Sequence, residues 1–178
     1  TRGHQSHSQN RPLKKLVING GCPLKGTVKI SGAKNAALPM MTACILSNHN
    51  ITLNNVPDLA DVRTMRTLLE SMGISTHKTL DGSLKLSGEQ IKSKYASYDL
   101  VKTMRASIVV LGPLLAKHGV AKVSLPGGCA IGARPVDLHI EGLKKLGANI
   151  EIKDGYILAY AEQLKGSEYH FPIKSVTG

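Results

Sequence analysis

Tryptophan is absent from this sequence and phenylalanine occurs once among 178 residues, with five tyrosines. A hydrophobic core must therefore be built from Leu, Ile, Val, Met and Ala. The scarcity of rings also argues against nucleic acid as the partner, because proteins that hold bases display aromatic side chains among their cations. Long apolar runs are lacking as well. The longest stretch, 108–116, is interrupted by Gly112 and Pro113 and is far too short to span a bilayer, so no membrane partner is expected. Cysteine is sparse and odd in number (Cys22, Cys44, Cys129), and a reducing, cytoplasmic setting is the simplest reading. No Cys/His spacing matches a zinc motif, and no metal is expected. The first fifteen residues lack both acids and an apolar run, which excludes a secretory signal and reads as a leader or disordered extension.

What is present fits a globular domain. Apolar residues make up 42% of the chain. The formal charge is +11; the leader holds Arg2, Arg11, Lys14 and Lys15, and without it +7 remains. An excess of that size points to an anionic partner without naming it.

From Ser31 onward the chain repeats itself about every 70 residues. The first copy reads as a helix over 34–46 with Ala36, Met40 and Ala43 on one face, then a strand over 51–53. A second helix over 59–72 follows, with Asp58 as N-cap and Val62, Met65, Leu69 and Met72 facing inward. Gly73 stands where a helix end wants a left-handed residue, and a hairpin turns at Asp81-Gly82. The second copy places Leu100, Met104, Ile108, Leu111 and Leu115 on one helical face. A strand over 120–125 follows, then a helix over 136–146 with Leu143 and Leu146 inward, Gly147, and a hairpin at Asp154-Gly155. The landmarks keep step: Pro57 to Pro126 spans 69 residues, Gly73 to Gly147 spans 74 and Gly82 to Gly155 spans 73. Such order predicts an α/β domain of stacked units, and 171–178 reads as the start of a third copy in which the chain stops.

The sharpest chemical feature is the segment Pro126-Gly127-Gly128-Cys129-Ala130-Ile131-Gly132-Ala133-Arg134-Pro135 between strand and helix. Glycines let a backbone approach a ligand and offer N–H groups to anions. The thiolate is the reactive form of cysteine, and a guanidinium such as that of Arg134 favours it. The alternative is a buried thiol on a glycine-rich turn. Arg134 and Pro135 open the next helix, where phosphate binds readily; Asp137 there either accepts hydrogen bonds from a ligand or only charges the helix start. Gly32-Ala33-Lys34-Asn35 precedes another helix and reads as a second anion site, or as a solvated lysine. Lys102 and Arg105 are spaced to share one helix face, as substrate contacts or a surface pair. His118 and His139 have no triad around them, and Cys22 and Cys44 lack glycine and basic neighbours of the kind that surround Cys129, so all four read as inert.

Three stretches together carry a resemblance: Gly32 through Pro39 (GAKNAALP), Tyr98 through Ser107 (YDLVKTMRAS) and Leu125 through His139. In that order they resemble the UDP-N-acetylglucosamine 1-carboxyvinyltransferase family, with similarity running from about Leu16 to Gly178. The resemblance implies an α/β fold of repeated β-α-β-α-β-β units, an inside-out α/β barrel, here truncated in the third repeat. It divides the chain into a leader over 1–15, strands over 16–33 that pair with a second domain, and an incomplete first domain over 34–178. The repeats of that domain lie at about 34–92 and 98–165, with a third starting at 171–178. It implies transfer of the enolpyruvyl group of phosphoenolpyruvate to the 3-hydroxyl of UDP-N-acetylglucosamine with release of phosphate. That is the first committed step of peptidoglycan synthesis, in the cytoplasm, serving cell wall biogenesis, cell shape and cell division.

By the same resemblance, Cys129 is the general acid toward the phosphoenolpyruvate methylene, forms a covalent adduct and is the residue fosfomycin alkylates. Lys34 contacts phosphoenolpyruvate, Asn35 lies near the sugar, and Arg134 is shared between the two anionic substrates. Pro135, Val136, Asp137 and Leu138 bind uridine, Arg105 touches the nucleotide sugar, and Lys174, Ser175, Val176 and Thr177 bind the diphosphate region. No metal or organic cofactor is implied. The implied partners are the two small substrates and either the missing second domain or a companion chain, which supplies a catalytic aspartate and further arginines. Three other readings stand beside this one: an inactive fragment that binds the nucleotide sugar, a shikimate-pathway enolpyruvyl transferase, and an RNA-binding domain on a related fold. Cys129 and the uridine stretch oppose the second, and the missing aromatics oppose the third.

Overall fold

The computed structural model describes residues 15–101, 104–125 and 136–174. Two compact units emerge, one within Thr1–Ile30 and one over Ser31–Gly178. In the first, residues 15–30 form no helix or strand, and Leu16, Val17, Ile18, Leu24 and Val28 are exposed. The strands expected here are therefore not formed: an extended segment becomes a strand only when a neighbour closes its ladder of hydrogen bonds.

The second unit carries the repeats. The first consists of α1 (Lys34–Thr42), a 3-10 turn (Ala43–Leu46), β1 (Ile51–Leu53), α2 (Ala60–Ser71), β2 (Ser75–Lys78) and β3 (Leu84–Ser87). Its sheet has the order β1-β3-β2, antiparallel throughout. The second consists of β4 (Tyr95–Ala96), α3 (Tyr98–Val101), a 3-10 turn (Arg105–Val110), α4 (Leu111–His118), β5 (Val120–Ser124), α5 (Asp137–Lys145), β6 (Asn149–Lys153) and β7 (Tyr156–Tyr160). Its sheet has the order β4-β5-β7-β6, with β4 parallel to β5 and the other pairs antiparallel. This second repeat is a complete β-α-β-α-β-β unit. The first has the same sheet order without the leading strand among the described residues.

Both hairpins close as their turn residues require. Gly82 has φ +84, and Asp154 and Gly155 have φ +52 and +78, the left-handed pair of a two-residue turn. One core serves both repeats. Met41, Ile45, Met65, Leu68, Leu69, Met72, Leu86, Leu111, Leu114, Leu115 and Ile157 are fully buried in it.

Several local expectations are corrected. On α1 the buried residues are Ala37, Leu38, Met41 and Thr42, continued by Cys44 and Ile45, whereas Ala36 and Met40 are exposed. The stripe that packs on α2 lies one residue further along than the expected face. Asp58 does not cap α2: the N-cap is Leu59, and Asp58 accepts a hydrogen bond from Arg63 Nη1 at 2.7 Å and lies 3.8 Å from Lys78 Nζ. Those two cations, Arg63 first, hold its carboxyl below the usual range. On α5 it is Ile140 that is buried, with Leu143 and Leu146 only partly so.

The long helix expected through Leu100 to Leu115 is three pieces. Met104 is extended, with φ −143 and ψ 107, and the α-helical geometry of α4 begins only at Leu111. Pro113 accounts for that start. It has no N–H for the carbonyl of Val109, and its ring would clash there in a continuous α-helix. The break is pinned by Ser107, whose buried Oγ donates to the Met104 carbonyl at 2.6 Å. Ser107→Ala is expected to cost about 1 kcal/mol, read as a lower urea midpoint with unchanged slope. Residues 171–174 form no strand, and Phe171 and Ile173 are exposed.

Candidate functional site

Lys34 is the first residue of α1, preceded by Ala33 in an extended conformation with no side-chain cap. The first N–H groups of a helix have no partner within it, and together with the helix dipole they favour anions. A lysine is out of place there on dipole grounds alone. Its charge is met by Asp61, in the first turn of α2: Lys34 Nζ lies 2.7 Å from Asp61 Oδ2, with the side chains 43% and 36% exposed. The two helix starts are held together through Gly32. A Cβ at that position would fall 2.0 Å from the carbonyl oxygen of Asn55 and 3.3 Å from Pro57 Cδ. Asn55 is itself left-handed, with φ +56. Asn35, the second residue of α1, is exposed.

The other candidates lie on the second repeat. Arg105 is the first residue of the 3-10 turn; its side chain lies outside the described residues. Lys102, the expected partner of Arg105 on one helix face, lies outside the described residues. The segment carrying Cys129, Arg134 and Pro135 also lies outside them; it joins β5 to α5. Val136 is the N-cap of α5, half-buried and without a side-chain cap bond. Asp137 follows it, exposed in the first turn, and Leu138 is half-buried. Lys174 is exposed, and Ser175, Val176 and Thr177 lie outside the described residues.

Of the residues read as inert, Cys44 and His118 are set by burial. Cys44 is buried, and burial pushes its thiol up to about 11 against the partial opposition of Lys117. Cys22 is exposed. His118 has a buried Nε2 with no partner among the described residues. Burial, then Lys94 and Lys117, lower its pKa and favour the neutral ring. Among the described residues no three His, Cys, Asp or Glu side chains gather as metal ligands, and no helix is long and apolar enough to cross a membrane.

Sequence reasoning missed Asp61. It stands 27 positions from Lys34, in no motif, and reaches it only because the loop after β1 brings α2 alongside α1. A first-turn acid was the one available signal, and such acids are common for dipole reasons alone.

Comparison with known proteins agrees with this architecture. A family model described as EPSP synthase (3-phosphoshikimate 1-carboxyvinyltransferase) matches residues 18–178. The UDP-N-acetylglucosamine 1-carboxyvinyltransferase of Hydrogenovibrio crunogenus is 52% identical over 166 residues, covering 93% of this chain and 40% of that protein. The protein of the same name from Idiomarina loihiensis is 57% identical over 167 residues, with the same coverage. The chain thus spans about 40% of the length of the curated relatives it matches. Among solved structures, the enolpyruvyl transferase NikO from Streptomyces tendae superposes with a TM-score of 0.67 at 21% identity, covering 83% of this chain and 32% of that one. EPSP synthase from Acinetobacter baumannii gives 0.62 at 17% identity, covering 85% and 36%. At those identities the likeness is one of fold.

Proposed function

The chain belongs to the EPSP synthase (3-phosphoshikimate 1-carboxyvinyltransferase) family, and we propose that within it the chain is part of an enzyme that moves the enolpyruvyl group of phosphoenolpyruvate onto the 3-hydroxyl of UDP-N-acetylglucosamine, releasing phosphate. The observation that carries this reading is the identity of 52% and 57% to two UDP-N-acetylglucosamine 1-carboxyvinyltransferases across 93% of the chain. The EPSP synthase structure matches it at only 17%.

In this reading Lys34 and the start of α1 hold phosphoenolpyruvate, with Asn35 toward the sugar. Arg134 lies between the two anionic substrates. Pro135, Val136, Asp137 and Leu138 take the uridine, Arg105 a further part of the nucleotide sugar, and Lys174, Ser175, Val176 and Thr177 the diphosphate region. Fixed cations of this kind hold two anions together at a cost neither could offset alone in water. The Cys129 thiol gives its proton to the methylene carbon of phosphoenolpyruvate, the sugar oxygen adds to the adjacent carbon as it loses its own proton, and phosphate leaves as a proton is withdrawn from the new methyl group. The base for the sugar hydroxyl comes from outside this chain, from a second domain or a companion chain. The product feeds peptidoglycan synthesis in the cytoplasm, and so cell wall biogenesis, cell shape and cell division.

Calorimetric titration tests the reading. UDP-N-acetylglucosamine is expected to bind the chain, and more tightly with phosphoenolpyruvate present. Shikimate 3-phosphate and a short RNA at physiological salt are expected to give no heat. Binding of shikimate 3-phosphate in place of the nucleotide sugar would overturn the assignment.

A further inference from the structure

We propose that Asp61 is a positioning residue that holds the Lys34 ammonium ready for an anionic substrate; the proposal rests on the reading of Lys34 given above. The contact of 2.7 Å joins two different helices, and both side chains are a third or more exposed. An exposed pair of this kind contributes little to stability. Its consequence is geometric.

A lysine side chain turns about four bonds, and fixing it on ligand arrival costs affinity. Here that ordering is done beforehand. Asp61 sits in the first turn of α2, where the helix dipole favours a carboxylate. The start of α2 is set against the start of α1 by the close approach of Gly32 to Asn55. An ammonium has three N–H donors, and one carboxylate oxygen takes one of them, leaving the others for a phosphate or carboxylate oxygen of the substrate. No other ion pair is formed by Lys34 among the described residues.

The proposal can be tested because positioning and plain Coulomb attraction predict opposite signs. Asp61→Asn removes a negative charge beside the site, which alone would tighten anion binding. If Asp61 positions Lys34, the same change weakens phosphoenolpyruvate binding by roughly tenfold, because the ammonium must be ordered on binding. Asp61→Glu is expected to recover part of the loss. Asp58→Asn serves as the charge control, since Asp58 contacts Arg63 and Lys78 rather than Lys34; it is expected to bind at least as tightly as the wild type. Phosphoenolpyruvate is titrated into each full chain in the presence of UDP-N-acetylglucosamine, with circular dichroism confirming the fold. Unchanged or tighter binding by Asp61→Asn overturns the proposal.

Competitive acetylation without substrate, read by mass spectrometry, supplies an independent measurement. Lys34 is expected to react several-fold more slowly than exposed Lys153, and Asp61→Asn is expected to abolish the difference. Equal rates in the wild type mean that the contact is not held in solution, and sink the proposal. Lys34→Ala separates the two levels of inference. If it binds phosphoenolpyruvate like the wild type while Lys34 is protected from acetylation, the substrate role of Lys34 fails although the contact stands. Protection without any phosphoenolpyruvate binding by the wild type has the same consequence, and the proposal falls with that reading.

Discussion

Gly32→Ala is expected to destabilise the domain by about 3 kcal/mol and to abolish whatever binding depends on Lys34. The added methyl would lie 2.0 Å from a backbone oxygen, that of Asn55, with the Asn55 carbonyl carbon at 3.2 Å and the Pro57 ring at 3.3 Å. None of these is the free end of a flexible side chain. Either the 31–33 segment or the loop after β1 must move. Asn55 is left-handed and followed closely by Pro57, so its loop has little freedom to yield. The clash also reaches the site, because Lys34 is two residues further on and its partner Asp61 lies beyond the same loop. Gly112→Ala is the matched control. It lies in α4 with no heavy atom within 4 Å of the added carbon, and it is expected to raise stability by roughly 0.5–1 kcal/mol, since alanine is the better helix former. Urea titration of both variants checks the pair of opposite signs. Equal midpoints would show that the packing of Gly32 on Asn55 is not tight in solution.

The second large effect concerns Cys44. Its thiol is buried and raised from 9.0 to about 11. At pH 8 a thiol with that value is thiolate to the extent of about one part in a thousand, against roughly one in ten for an ordinary one. Cys44 is therefore expected to resist iodoacetamide in the native state, whereas exposed Cys22 is labelled. Peptide mapping after alkylation at pH 8 reads this directly, and rapid native labelling of Cys44 would contradict its burial. Stability follows from the same cause. The fold prefers the neutral thiol, so the contribution is fully present below about pH 9 and is lost as pH rises through 11, reaching about 2 kcal/mol. Other groups titrate in this range, so the informative quantity is the difference between wild type and Cys44→Ala as pH rises from 8 to 11. The wild type is expected to lose its advantage over that interval.

The hairpins, the helix ends at Gly73 and Gly147, and the apolar face of α2 were legible in the sequence. Each is governed by a local rule: a left-handed position that wants glycine, or a 3.6-residue period over a helix long enough to show it. The helix through Leu100 to Leu115 was misread because its apolar spacing persists across the break at Met104. Periodicity records which residues face the core, and extended and 3-10 segments can present the same residues to it. The face of α1 was misread by one position because the run from Ala36 to Met41 is apolar throughout, and only packing against α2 chose among those residues. The strands expected over 16–33 did not form because a strand is a relation between segments and not a property of one.

The candidate site divides along the same line. Lys34 and Asn35 at a glycine-marked helix start, Arg105 at the opening of a turn and Asp137 at the opening of α5 are all visible as residues beside breaks in pattern. Their order along the chain carries the family resemblance. Asp61 belongs to no such pattern. Its relation to Lys34 depends on the two helices of one repeat being brought together at their starts, across a glycine too close to Asn55 for any side chain. By itself the sequence determined the repeat, the turn positions and the candidate groups, because each depends on neighbours within a few residues. The tertiary structure alone decided which carboxylate meets which ammonium, because that contact is set by the packing of segments 27 residues apart.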